Sequence, residues 1–130
     1  MISPTQRTLL ALRKRGCLAA VVEKFNAHVT RPDGGKGIRQ DLFGFIDVIA
    51  VEPDQSGVLA VQCARTDDAA TRIAKIHSAK VWPKAERWLT AGNRISVMTW
   101  AVRVHPDKRR RWTLKVEPVR LEEETDAKAL

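Results

Sequence analysis

Two polar side chains stand where strand interiors are normally apolar: Asp47 in "DLFGFIDVIAV" and Gln62 in "VLAVQCAR". The turn formers Pro53, Asp54, Ser56 and Gly57 of "EPDQSG" separate the two segments, which therefore read as an antiparallel hairpin. With Val51 facing Val58, Asp47 falls directly opposite Gln62, on one face of the sheet and within contact distance. Ala64 shares that face because strand side chains alternate. A slip of one residue would separate the pair, so the inference depends on the turn. A buried carboxylate is costly unless a cation or a hydrogen-bond donor meets it. Two chemistries meet that need. Either the Gln62 amide donates to Asp47 in a structural pair, or both side chains offer oxygen to a hard divalent cation such as magnesium.

Other chemistry-bearing residues can be weighed against this pair. Glu23 is the one acid inside the first apolar strand; it reaches the site if that strand neighbours the hairpin, and otherwise pairs at the surface with Lys24 or Arg39. Asp41 lies six residues before Asp47, about 20 Å away along a continuous strand and too far to share an ion with it. Asp33, in the glycine loop "RPDGG", is too mobile to be preorganised. Cations cluster at Arg13 to Arg15, at Arg31, Lys36 and Arg39, and at Lys108, Arg109, Arg110 and Arg111. Loop and turn positions suit phosphate contacts, which position a nucleic acid without reading its sequence. Core packing is the default for the four tryptophans; base stacking is the alternative for Trp112, beside the arginines.

The elements that must position these residues follow from local signals. "SPTQRTLLALRKRG" is a helix with Ser3 as cap, Pro4 in its first turn, Gln6 completing a capping box and Gly16 as stop. "CLAAVVEKFNAHV" reads as one strand and "TRPDGGKGIRQ" as a flexible loop. After the hairpin come a helix over "TDDAATRIAKIHSAK", with Asp67 and Asp68 in its first turn, and a short helix from Pro83 to Gly92. Two strands around "HPDKRR" close the order: helix, three strands, helices, two strands.

A chain of 130 residues with 44% apolar content is one domain of the α/β class, a central mixed sheet flanked by helices over residues 1–120. Residues 121–130 carry four acids and one lysine and read as a disordered acidic tail. The chain is +8 overall, so the first 120 residues hold +11, which favours a polyanionic partner, nucleic acid first. No apolar run is long enough to span a membrane, and the N-terminus lacks a signal-peptide pattern. Cys17 and Cys63 read as free buried thiols of a reducing cytoplasm; His28, His77 and His105 stand apart. A cytoplasmic protein is the expectation.

The order of elements, with "IDV" followed after a turn by "VQCA", resembles the PD-(D/E)XK nuclease superfamily, in particular its Holliday-junction resolvase branch and related phage proteins. The likeness covers about residues 4 to 100. It implies an αβββα-β(β) restriction-endonuclease-like core and a Mg2+- or Mn2+-dependent endonuclease acting on branched or structured DNA, with a homodimer cutting both strands. On matching positions Asp47 is the metal-binding aspartate, Gln62 stands where the second carboxylate belongs, and Ala64 where the catalytic lysine belongs. Gln62 can ligate through its carbonyl but brings no charge; Ala64 brings nothing. Stand-ins for the lysine are Arg65, Arg72, Lys75 or Lys24. Gln6 lies about where the resolvase branch places a glutamate, though the capping box explains it equally. The set implied is Asp47, Gln62, Glu23 and Lys75 for catalysis, the first two as metal ligands, with Lys36, Arg39 and Lys108 to Arg111 on DNA. The alternatives are an inactive nucleic-acid-binding module with the nuclease fold, and an accessory protein whose basic face meets an acidic protein.

Overall fold

In the computed structural model, which describes residues 2–121, the first helix forms as its caps dictate. Ser3, in an extended conformation, accepts a hydrogen bond from the Gln6 amide at 3.2 Å, and α1 (Pro4–Lys14) follows, burying Thr8, Leu9 and Leu12. Gly16, at φ 88°, turns the chain out of the helix into β1 (Leu18–Val21).

The single strand expected next is two. After β1 the chain leaves the main sheet, and β2 (Lys24–Thr30) pairs with β3 (Lys36–Gln40) in a separate two-stranded ribbon. The supposed loop "TRPDGGKGIRQ" is thus mostly strand. Only its tip turns, organised by Asp33 accepting from the Gly35 amide at 2.8 Å and pairing with Arg31. Alternating polarity in "KFNAHVT" suits a ribbon exposed on both faces as well as a sheet strand, and pairing alone decides between them.

β4 (Val48–Val51) and β5 (Leu59–Arg65) form the expected hairpin, with Val48 opposite Val61 and Ala50 opposite Leu59. That register continues to Asp47 and Gln62. The expected strand start at Asp41 is not observed; residues 41–47 form a turn instead. A 3-10 turn (Thr66–Asp68), α2 (Ala69–Ile76) and α3 (Trp82–Thr90) carry the chain across to β6 (Arg94–Val104), parallel to β5, and β7 (Arg110–Val119) returns antiparallel. The five-stranded mixed sheet runs β1-β4-β5-β6-β7.

Alternation along these strands divides the core in two. Val48, Ala50, Leu59, Val61, Cys63 and Met98 pack under Leu9 and Leu12 of α1. Ala60, Ile95 and Val97 pack on the other face with Ile76, Val81 and Ala85, joined by Phe45 and Ile46. Each large side chain in these layers contributes about 1.5–3 kcal/mol by leaving water. Gln62 and Asp47 point into the second layer, beside α2.

The tryptophans pack. Trp100 Nε1 donates to Thr8 Oγ1 at 3.0 Å, Trp88 Nε1 to Arg94 O at 2.8 Å, and Trp82 stacks on His77. The Trp112 ring lies under the Arg7 guanidinium, 4.2 Å from its centroid. Among the described residues no helix is long and apolar enough to cross a membrane. The acidic tail, from residue 122 on, lies outside the described residues.

Candidate functional site

Asp47 is fixed by backbone bonds on both sides. Its amide donates to Val61 O at 2.9 Å and its carbonyl accepts from the Val22 amide at 2.8 Å, which seats it in mid-sheet between the end of β1 and the interior of β5. The residue is 4% exposed, and its Oδ2 accepts from Gln62 Nε2 at 2.7 Å and from the Cys63 amide at 2.8 Å. The donor–acceptor pair read from the hairpin register is therefore present. Gln62 is 1% exposed, and its Oε1 has no hydrogen-bond partner among the described residues. As placed, Gln62 turns its N–H toward the acids, and the carbonyl assigned to an ion by resemblance points elsewhere. A half-turn of the amide exchanges the two atoms.

Asp41 corrects the sequence reading. A continuous strand would hold it about 20 Å from Asp47. Instead the chain doubles back within "LFGFI": Leu42 and Ile46 form an isolated antiparallel bridge, with Leu42 N to Ile46 O at 2.9 Å and Ile46 N to Leu42 O at 3.0 Å. Phe43 at φ 55° and Gly44 at φ 83° make the reversal. The residues flanking the bridge are Asp41 and Asp47, which the reversal brings face to face. The signal was Gly44, centred in a symmetric Asp-apolar-Phe-Gly-Phe-apolar-Asp stretch.

Glu23 arrives from the opposite side. It follows Val22, whose amide is bonded to Asp47 O, so the end of β1 delivers it to the same point. Carboxylate oxygens of Glu23, Asp41 and Asp47 lie within 4.8 Å of one another. Two cations meet this cluster: Lys75 Nζ donates to Asp41 Oδ2 at 3.1 Å, and Arg39 Nη1 to Glu23 Oε1 at 3.3 Å. The surface pairing of Glu23 with Arg39 and its place in the acidic cluster thus coexist.

Three acids this close do not all stay ionised at ordinary cost. Burial, then the hydrogen bond and charge of Asp41, push Asp47 up to about 8. Burial works against the charge on Asp41 too, but the hydrogen bond shared with Asp47 and the pairing with Lys75 outweigh it and hold Asp41 below its usual value. At neutral pH Asp47 therefore keeps a proton and Asp41 keeps the charge. Burial also raises the Cys63 thiol to about 12, which excludes it as a thiolate nucleophile.

The cluster forms the floor of an open cleft of about 1000 Å³. Its rim is basic: Arg39, Arg65, Arg72, Lys75, Lys80 and Lys84 all line it. Arg65 leans toward Asp67 at 3.7 Å, while the buried Arg72 Nε has no partner among the described residues. Of the expected site residues, Asp47, Gln62, Glu23, Lys75 and Arg39 converge here. Lys36 and Lys108 to Arg111 do not line the cleft. Lys24 pairs with Gln40 in the β2–β3 ribbon. Sequence reasoning missed Asp41 as a partner of Asp47, and Lys80 and Lys84 as rim cations.

The donor set fits a hard divalent cation. Carboxylate oxygens are the ligands Mg2+ and Mn2+ prefer, and with bonds of about 2.1 Å two ligands of one such ion are at most about 4.2 Å apart, so these three oxygens lie near that spacing and would close slightly on an ion. A buried acid that holds a proton at neutral pH for want of a counter-charge is what a metal would relieve. No protein-family model, curated protein or solved structure matches the chain.

Proposed function

We propose that the chain is a Mg2+- or Mn2+-dependent endonuclease that hydrolyses phosphodiester bonds in branched or structured DNA. One observation carries this reading: a floor of three clustered carboxylates, Glu23, Asp41 and Asp47, inside a cleft whose rim is cationic. Acids alone would repel a phosphate and cations alone would only bind it. The combination suits a site where metal and phosphate meet. The order of α1, antiparallel β1-β4-β5, crossover helices and parallel β6 also agrees with the core that the resemblance to PD-(D/E)XK nucleases implies.

In this reading Glu23, Asp41 and Asp47 hold the metal, and the metal supplies Lewis-acid activation of water and charge neutralisation at the phosphate. Lys75, 3.1 Å from Asp41 on α2, takes the place left by Ala64 and faces the scissile phosphate. Arg65, Arg72 and Lys84, which line the cleft, hold the flanking phosphate backbone. The Gln62 amide orients Asp47 through the 2.7 Å bond.

A second reading has its own observation. Because Gln62 donates to Asp47 rather than adding a fourth acid, the site resembles a nuclease centre whose chemistry has been lost. The test is nicking of a supercoiled plasmid and a four-way junction with Mg2+ or Mn2+. The endonuclease reading expects metal-dependent cleavage that falls at least 100-fold in Asp47→Asn and at least tenfold in Lys75→Ala. Cleavage absent from the wild type but appearing in Gln62→Glu selects the inactive module. No cleavage in either, with any substrate, rejects a nuclease.

A further inference from the structure

The β6–β7 hairpin continues past the rest of the sheet. Arg65, the last residue of β5, pairs with Trp100, and β6 runs on to Val104 against β7 alone. Register assigns the faces of this projecting ribbon. Gln62 pairs with Val97, so Val97 and every second residue after it point to the side of the sheet that holds the acidic site. That series is Thr99, Ala101 and Arg103, and across from it on β7 are Lys115, Thr113 and Arg111. Arg109, two residues before Arg111, continues it at the turn. The opposite face presents Val102, Val104, Trp112 and Arg110. The four consecutive cations of the turn therefore do not form one patch: Arg109 and Arg111 face the site's side, Arg110 faces away, and Lys108 occupies the tip at φ 66°.

Arg103 and Arg111 are directly opposite each other and both exposed. Like charges in that relation destabilise a strand pair. Asp107 pairs with Arg111 and offsets part of the repulsion, but among the described residues Arg103 meets no carboxylate. At the base of this face Thr99 bonds to Thr66 and Thr113 to His105, but no hydrogen bond or ion pair among the described residues holds Arg103. An arrangement that costs stability and leaves Arg103 unneutralised beside an Arg111 only partly offset by Asp107 suits an anion held between them.

We propose that this face of the β6–β7 ribbon is a phosphate-tracking arm for duplex DNA leaving the cleft, with Arg103, Arg111 and Arg109 as its contacts, Lys115 being held by Glu117 at 3.0 Å. Same-face rows recur every two residues, about 6.8 Å, twice the axial rise per nucleotide of one strand. From the Thr99 row to the tip is about 20 Å, or about six base pairs of duplex beyond the cut. A two-stranded ribbon also fits the width of the B-form major groove, whereas the A-form major groove is too narrow. The direction of the arm rests on the phosphodiester reading of the site; the contacts are testable without it.

The test is DNA binding by fluorescence anisotropy in EDTA, where the metal site plays no part. An 18-base-pair duplex is titrated across a salt series against the wild type, Arg103→Ala, Arg111→Ala and Arg110→Ala. Each lost phosphate contact makes the log–log salt slope shallower by about 0.9. The arm requires that loss in Arg103→Ala and Arg111→Ala and an unchanged slope in Arg110→Ala, with thermal midpoints at or above that of the wild type. Equal losses in all three variants would mean that only net charge matters, and no loss in any would leave the face to an acidic protein; either overturns the proposal. Duplex RNA or single-stranded DNA showing the same side-specific loss would overturn its assignment to duplex DNA. Because nicking is not read, failure here is separable from failure of the endonuclease.

Discussion

Asp47 and Gln62 meet a structural need in a geometry that would also suit the proposed metal ligation. The amide that satisfies the buried carboxylate at 2.7 Å also fixes its orientation, so the structural pair and a positioned metal ligand are compatible. What separates them is the proton. Asp47, raised to about 8 from an unfolded value of 3.8, binds its proton more tightly in the native state. The native state then holds the extra proton between about pH 4 and 8, so metal-free stability is highest below that window and falls as pH rises through it. Asp41, held low, acts in the opposite sense but only below its unfolded value. Asp47→Asn keeps an acceptor for Gln62 and Cys63 and removes the titration. Thermal melts in EDTA from pH 5 to 8.5 are expected to show the wild type losing several degrees and Asp47→Asn nearly flat and more stable at pH 8.5, on about 4 °C per kcal/mol. A wild-type midpoint that does not fall over that range would place the proton elsewhere. The opposition of Asp47 and Gln62 was legible because a turn and two apolar runs fix hairpin register locally. The partnership with Asp41 was not, because Leu42, Phe45 and Ile46 satisfy a strand pattern equally well.

At the scale of elements, the site depends on the reversal at residues 42–46. Gly44 sits at φ 83°, and an added Cβ would meet only Val81 Cγ2 at an ordinary 3.5 Å. The cost of Gly44→Ala is therefore conformational, about 1–2 kcal/mol. Relaxing that strain moves Asp41 away from Asp47. The variant is expected to fold, to melt a few degrees lower and to bind Mn2+ at least tenfold more weakly; unchanged binding would show that Asp41 is not needed at the ion. The helices were legible from sequence for a simple reason: Ser3, Gly16, Pro83 and Gly92 act within one turn of where they stand. The division of β1 from β2 was not legible, since Val22 and Glu23 carry no break signal. The chain parts there because Val22 bonds to Asp47 while Lys24 bonds across to Gln40, a choice made by partners distant in sequence.

For the whole molecule, the +11 of the first 120 residues has a direction that composition could not give. Part of it rims the cleft, part lies along one face of the β6–β7 ribbon on the same side of the sheet, and Arg110 and the Arg13 side chain serve elsewhere, the latter donating to Ala19 O at 3.0 Å. The α/β class and the mixed sheet were readable as alternation of strand and helix patterns. Which cations shared a face with the acids required the parallel β5–β6 register. The acidic floor is the point around which these cations are arranged. Isothermal titration calorimetry of Mn2+ into the wild type and Asp47→Asn at pH 8 tests it most directly. A saturable site with a dissociation constant below about 1 mM is expected in the wild type, and at least tenfold weaker binding in Asp47→Asn. Titrations that are flat in the wild type, or the same in both proteins, would contradict it.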